Sequence, residues 1–344
     1  MAAKQKKTKQ NTGPSRLSRF RDWLARGDAR RRRRAAVNVA WLVLGVLFAG
    51  GLIAGMRMLE GRVLRKTYRG ERGRAVVRLT GAPSWMPETL HREIVADITP
   101  ESADLADRLL ARKVYDRAAA NAWVRGVRQV QVRPHAGRSG GVVEAALEFR
   151  RPAACVRNGS TYYYVDLDGV RLPDCQVPMW VVSFHDSRGS LLRQISYLSR
   201  NEVPQAWQPA AQRIHYIMME GVATPAPLAG GPWGAEDLAA GLRLVELIRT
   251  KPYYSQITCI DVRNHAARIT KNEPELRMYA QIGRGPSTDI RFGRFPAPGG
   301  GDYVVSPQRK MSYLDEYAAG NGGRVAGLNS YVDLRFDELH VSIH

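Results

Sequence analysis

AAVNVAWLVLGVLFAGGLIAGM, residues 35–56, runs for 22 residues without a charge. At 1.5 Å of rise per residue it makes a helix about 33 Å long, the thickness of a bilayer's hydrocarbon core. A helix satisfies its own backbone polar groups in lipid, so this length and purity predict one transmembrane helix from Ala35 to Met56. Arg30–Arg34 stand directly before it, and Trp41 lies near the same end, where interfacial aromatics gather. No other run in the chain approaches this length without a charge. The expected molecule has a basic head, a single span and a large body beyond it.

Residues 1–34 carry 13 Lys/Arg against Asp22 and Asp28, a net of +11, and residues 57–78 carry 8 against Glu60 and Glu71, a net of +6. Of the chain's +20, only +3 remains for residues 79–344. The charge therefore flanks the span, which fits anionic headgroups better than nucleic acid. The denser block lies on the N-terminal side, so the positive-inside rule places that end in the cytoplasm and the body outside it. The apolar run is longer than a signal peptide's core of about 7–15 residues. Gly51 and Gly55 form a GxxxG pair, read here as ordinary small membrane residues. Leu17, Phe20, Trp23 and Leu24 share one helical face among arginines and suit a short surface helix in an otherwise disordered tail.

The body is long enough for two domains with real cores. Cys155, Cys175 and Cys259 are too few for a disulfide framework or a zinc site; a Cys155–Cys175 bridge and buried free thiols both remain open. From Ala75 the pattern reads β-α-α-β-β. A strand at Val76–Leu79 is followed by a helix begun at Met86-Pro87-Glu88, with Leu90, Ile94 and Ile98 on one face. A second helix carries Leu105, Leu109 and Tyr115. Strands Val127–Arg133, with Val130 and Val132 alternating, and Val142–Phe149 flank a glycine-rich turn at His135–Gly141. After Arg151-Pro152, Tyr162–Leu172 reads as a hairpin turning at Asp168-Gly169. Residues 174–233 show no clear periodicity. Leu238, Leu242, Val245 and Ile248 line a helix over Glu236–Thr250, and strands are expected at Ile257–Arg263, Glu275–Ile282 and Thr288–Phe292. A helix over Ser306–Tyr317 leads to a last strand, Ser330–Phe336, and an alternating tail of Leu339, Val341 and Ile343.

No catalytic constellation stands out. Asp166-Leu-Asp168-Gly169 lacks the later ligands of a calcium loop and reads as a turn. Glu144 and Glu148, four residues apart and so on one face of a strand, sit among Arg133, Arg150 and Arg151 as a salt-bridged surface. The histidines are scattered, the glycines at 283, 285 and 293 mark turns without a phosphate-binding lysine, and no serine sits in a G-x-S-x-G elbow. No cofactor, metal or small-molecule substrate is expected.

The local motifs resemble those of the bacterial cell-division family FtsQ/DivIB. AWVRGVRQVQVRP and VVEAALEFRRPAACV are similar to the passage closing that family's POTRA module, and YYYVDLDGVRLP to the hairpin opening its β domain. ITCIDVRN, the strand ahead of TDIRFGR, the helix around Lys310-Met-Ser-Tyr-Leu and YVDLRFD at 331–337 follow in the family's order. Phe336 departs from the usual tyrosine, residues 174–233 are longer than the usual link, and the POTRA turn lacks Trp-Pro. The resemblance implies an α+β chain: basic cytoplasmic tail 1–34, span 35–56, connector 57–74, POTRA domain 75–152 and mostly antiparallel β domain 153–344 with a long insertion at 174–233. It implies a non-enzymatic septal scaffold in the inner membrane. Its partners would be FtsB/DivIC-like and FtsL-like coiled-coil proteins, bound through the terminal strand (Tyr331, Asp333, Leu334, Arg335, Phe336, Leu339, Val341), with Val130 and Val132 on a POTRA surface. A POTRA-bearing secretion component would need a C-terminal barrel that residues 151–344 do not supply, and an extracytoplasmic hydrolase would need a clustered site in 174–233.

Overall fold

The computed structural model describes residues 29–67, 73–135, 140–297 and 304–342. The chain divides into two compact units, one ending at Arg69 and the other running from Gly70 to His344.

The first unit is helix α1, Ala29–Thr67, of 39 residues. Within it, Val37–Glu60 is long and apolar enough to cross a membrane. Trp41 and Met56 lie on this helix with exposed side chains, and Ala35 lies in its first turns. The expected connector after Met56 is helical as far as Thr67, because Met58, Leu59, Glu60, Arg62 and Leu64 are strong helix formers and a single Gly61 does not break the run. The basic face at Leu17–Leu24 lies outside the described residues.

The second unit opens with strand β1 (Ala75–Thr80), helices α2 (Glu88–Ile98) and α3 (Leu110–Ala120), and strands β2 (Val124–Pro134) and β3 (Gly141–Phe149). The sheet order is β1-β3-β2, with β1 parallel and β2 antiparallel to β3. Alternate residues Ala75, Val77 and Leu79 are buried against the helices. On α2 the stripe Leu90, Ile94 and Ile98 is fully buried, as its spacing predicts. The second helix differs from expectation. It starts at Leu110, after an aspartate turn in which Asp107 accepts from the Leu109 N–H at 2.9 Å, and buries Leu110, Val114 and Ala118. Leu109 and Tyr115 face water and Leu105 is buried in the preceding loop. In the turn joining β2 and β3, residues 136–139 lie outside the described residues. Glu144 and Glu148 pair with Arg133 at 3.1 Å and with Arg128, rather than Arg150 or Arg151, at 2.7 Å.

The remainder forms an eight-stranded mixed sheet and a separate three-stranded one. Strands β4 (Ala154–Asn158) and β5 (Thr161–Val165) make a hairpin at Asn158-Gly159, a turn signal missed in the sequence. The expected Asp168-Gly169 turn also forms. Asp166 accepts from the N–H groups of Asp168 and Val170 at 3.0 and 2.8 Å, and its second arm is only an isolated bridge at Arg171. Residues 174–233 contain β6 (Trp180–His185), β7 (Leu191–Tyr197) and β8 (Gln212–Arg213), a small antiparallel sheet ordered β7-β6-β8. They then return through β9 (Ile217–Glu220) into the large sheet. The buried Trp123 donates to Gln176 at 2.7 Å, and Gln176 donates to Glu93 at 2.7 Å, joining the small sheet's leading turn to α2.

Helix α4 (Glu236–Ile248), β10 (Ile257–Asp261), β11 (Leu276–Ala280), β12 (Thr288–Gly293), helix α5 (Pro307–Gly320), β13 (Tyr331–Asp333) and β14 (His340–Val341) complete the chain. The large sheet is ordered β14-β13-β12-β11-β10-β9-β4-β5. Its middle row, Val156–Met219–Ile260–Met278–Ile290–Val332, is fully buried in one core with α4 and α5. Gly221, with φ +89°, lets the turn after β9 pass the backbone of Arg263, where an added Cβ would lie 2.6 Å from the Arg263 nitrogen.

Candidate functional site

The C-terminal end of the large sheet is built by a crossover. Strand β13 runs parallel to β12, so the chain must return across the sheet, and α5 makes that return. Ser306 caps it by accepting from the Arg309 N–H at 3.3 Å, with Pro307 in the first turn. Lys310 is wholly buried and donates to the carbonyls of Phe292 and Arg294 at 2.8 and 2.9 Å, its ammonium 4.4 Å from the Phe292 ring centre. Burial pushes its pKa down to about 8. The lysine fastens α5 to the end of β12.

The last strand is shorter than the sequence suggests. It covers only Tyr331–Asp333, then turns away, and β14 pairs back onto it through Val332–Val341 and Asp333–His340. The cause is Asp333. Its carboxylate is buried (side chain 4% exposed) and accepts from Arg335 Nε and Nη2 at 2.9 and 2.7 Å and from the Arg335 backbone N–H at 3.1 Å. Drawing Arg335 back onto Asp333 ends the extended run. Gly293, with φ +77°, makes room, since a Cβ there would meet Arg335 Cγ at 2.8 Å. The bonds to Asp333 in turn raise the Arg335 pKa.

Among the residues expected to meet a partner, Asp333 and Leu334 are therefore buried and Arg335 is committed to Asp333. Tyr331 is half-buried under the Arg291 guanidinium, 4.1 Å from its ring centre. Phe336 does not join Val332 on the core face; it is exposed and stacks edge-on with His340. Leu339 packs partly on the core and Val341 is exposed. The turn between β13 and β14 is held to α5 by the Tyr313 hydroxyl, which donates to the Asp337 carbonyl. Ile343 lies outside the described residues. Val130 and Val132 are half-buried on β2, opposite Ala145 and Val143.

What this end does present is backbone. Ser342 N–H donates to the Tyr331 carbonyl at 3.2 Å. Inward- and outward-facing positions alternate in an antiparallel ladder, so Val341, one residue back, turns its N–H and C=O to the open side of the sheet. A donor and an acceptor flanked by exposed Phe336, His340 and Val341 form a short receiving edge. Among the described residues no group of His, Cys, Asp and Glu is arranged to hold a metal ion. The three cysteines are free thiols, Cys175 exposed, Cys155 partly buried and Cys259 buried with its pKa pushed up to about 12. No family model matches this sequence, and no curated protein matches it either. What the chain does is therefore read from the geometry of this edge.

Proposed function

We propose that the chain is a single-span membrane scaffold of bacterial cell division, of the FtsQ/DivIB kind, acting by binding rather than by chemistry. The helix at Val37–Glu60 would cross the inner membrane with the basic N-terminus in the cytoplasm. The β-α-α-β-β module over residues 75–149 would serve as the POTRA domain. The large sheet would receive a partner at its C-terminal edge. Supporting this reading is the outward donor and acceptor of Val341, beside the exposed Phe336. A partner segment adding to this edge gains affinity from the main chain and specificity from the flanking side chains. The partners would be small coiled-coil membrane proteins of the FtsB/DivIC and FtsL kinds.

The test is a pull-down from membranes with the intact chain, with Val341→Pro and with Val341→Ala. Proline removes the outward N–H and leaves the inward ladder in place. Capture of single-span coiled-coil proteins by the intact chain and by Val341→Ala, but not by Val341→Pro, is the expected result. Capture of outer-membrane barrel components instead, or equal capture by all three forms, would overturn the edge reading.

A further inference from the structure

A second feature lies far from the terminal edge in the chain. Between the first module and the large sheet runs a cleft of about 390 Å³, within the ordinary range for a binding pocket. Trp85, from the turn leading into α2, forms one wall. Arg151 and Ala153 at the module junction, Ile214–Tyr216 ahead of β9, and Val245, Arg249 and Tyr254 around the end of α4 form the others. The lining is apolar and aromatic, with two arginines and, among the described residues, no carboxylate.

Three donors here, Arg151, Arg249 and the Tyr254 hydroxyl, have no close acceptor among the described residues. Arg151 is exposed and has no hydrogen-bond or ion-pair partner among the described residues. Arg249 has only a distant contact, 3.8 Å from the exposed Glu246. The Tyr254 ring is held edge-on against His215 at 5.4 Å, and His215 is itself fixed by the Ile257 carbonyl at 2.8 Å. The Tyr254 hydroxyl has no partner among the described residues. Arg151, Arg249 and Tyr254 line the same cleft, and in keeping with that, burial raises the Tyr254 pKa while the two cations pull it back down. The neighbouring Tyr216 is by contrast spent, donating to the Pro178 carbonyl at 2.8 Å. Two guanidiniums and a phenol over an apolar floor complement one carboxylate attached to an apolar body.

We propose that this cleft binds an acidic peptide segment of another protein, with an Asp or Glu carboxylate on Arg151 and Arg249 and an adjacent aromatic or leucine side chain against Trp85 and Tyr254. The site is separate from the terminal edge and does not depend on the division reading.

The experiment is selection of a random peptide library, displayed on phage, against the full chain in lipid nanodiscs, repeated with Arg151→Ala/Arg249→Ala. The expected result is enrichment of peptides that carry Asp or Glu beside an aromatic residue or leucine. Their affinity should fall about tenfold or more in the double variant and partly return in Arg151→Lys/Arg249→Lys. Val341→Pro should leave this binding unchanged. An unaltered thermal melting curve shows that the double variant is folded; if it melts early, the single variants Arg151→Ala and Arg249→Ala replace it, each expected to weaken peptide binding. Enriched peptides without an acidic residue, peptides that bind the folded double variant equally well, or displacement by a simple aromatic acid at the same concentration as the peptide would overturn the proposal.

Discussion

The two faces of the large sheet are made by the same strands and stabilised by different physics. On one face, Val156, Met219, Ile260, Met278, Ile290 and Val332 line up across six strands, each without measurable exposure. One residue along, the same registers bring Arg157, Glu220, Asp261, Arg277, Arg291 and Asp333 into a charged row on the other face. Volume decides the first row and pairing decides the second. The aspartates at the ends of β10 and β13 are buried while their arginines reach water, side chains 9% against 58% for Asp261 and Arg263 and 4% against 27% for Asp333 and Arg335. The arginines therefore act as lids on carboxylates that would be costly to bury alone.

Substituting one residue in each row separates the two mechanisms. Ile290→Ala opens a cavity between the sheet and its helices and should cost about 2–5 kcal/mol, read as the largest loss of thermal stability in the set. Arg335→Ala leaves the Asp333 carboxylate buried with the more distant Arg291, at 3.8 Å, as its remaining ion-pair partner among the described residues, and should cost about 1–3 kcal/mol. Replacing both Asp333 and Arg335 by apolar residues should recover part of that loss, since no buried charge is then stranded. An equal loss in the double variant would mean that the pair contributes packing rather than charge.

Much of this was legible in advance. The buried stripes of α2 and α4, and β11 with β12, follow from periodicity that a long apolar face imposes. The terminal strand was not, because YVDLRFD alternates as a seven-residue strand would, and only the third dimension shows Arg335 folding back on Asp333. The small sheet was hidden for a related reason. Leu191, Leu192 and Arg193 on β7 are all exposed, so no hydrophobic alternation marks it. Of the terminal residues, Phe336 leaves the face that alternation gives it and is exposed, and the open backbone at Val341 depends on ladder phase, which no side-chain pattern records.

Lys310 sharpens the comparison, as a charge placed on the apolar side. Its pKa falls from 10.5 to about 8 in the fold, so between those values the unfolded chain binds more protons than the folded one. Stability carried by this group should therefore rise with pH from about 8 towards 10.5, and be least below 8, where both states are protonated. Lys310→Met should remove that rise, measured as the difference between the two melting curves from pH 8 to 9. Weakest in its effect on stability is Val341→Pro, expected within about 0.5 kcal/mol because it touches only the outer edge. In native protein, a maleimide should label Cys175 fastest and Cys259 only after unfolding.

The crossover through α5 also sets an order of events. Strand β12 is complete at Gly293, yet the strand that covers it does not begin until Tyr331. A growing or prematurely stopped chain thus carries a bare six-residue β12 edge bearing Ile290 and Phe292. Strand β13 pairs with Asp289–Arg291 of that edge, and the margin of the sheet then passes to the two-residue strand at His340–Val341. The crossover thus replaces a six-residue strand at the margin of the sheet by a two-residue one, which offers far less backbone for edge-to-edge association.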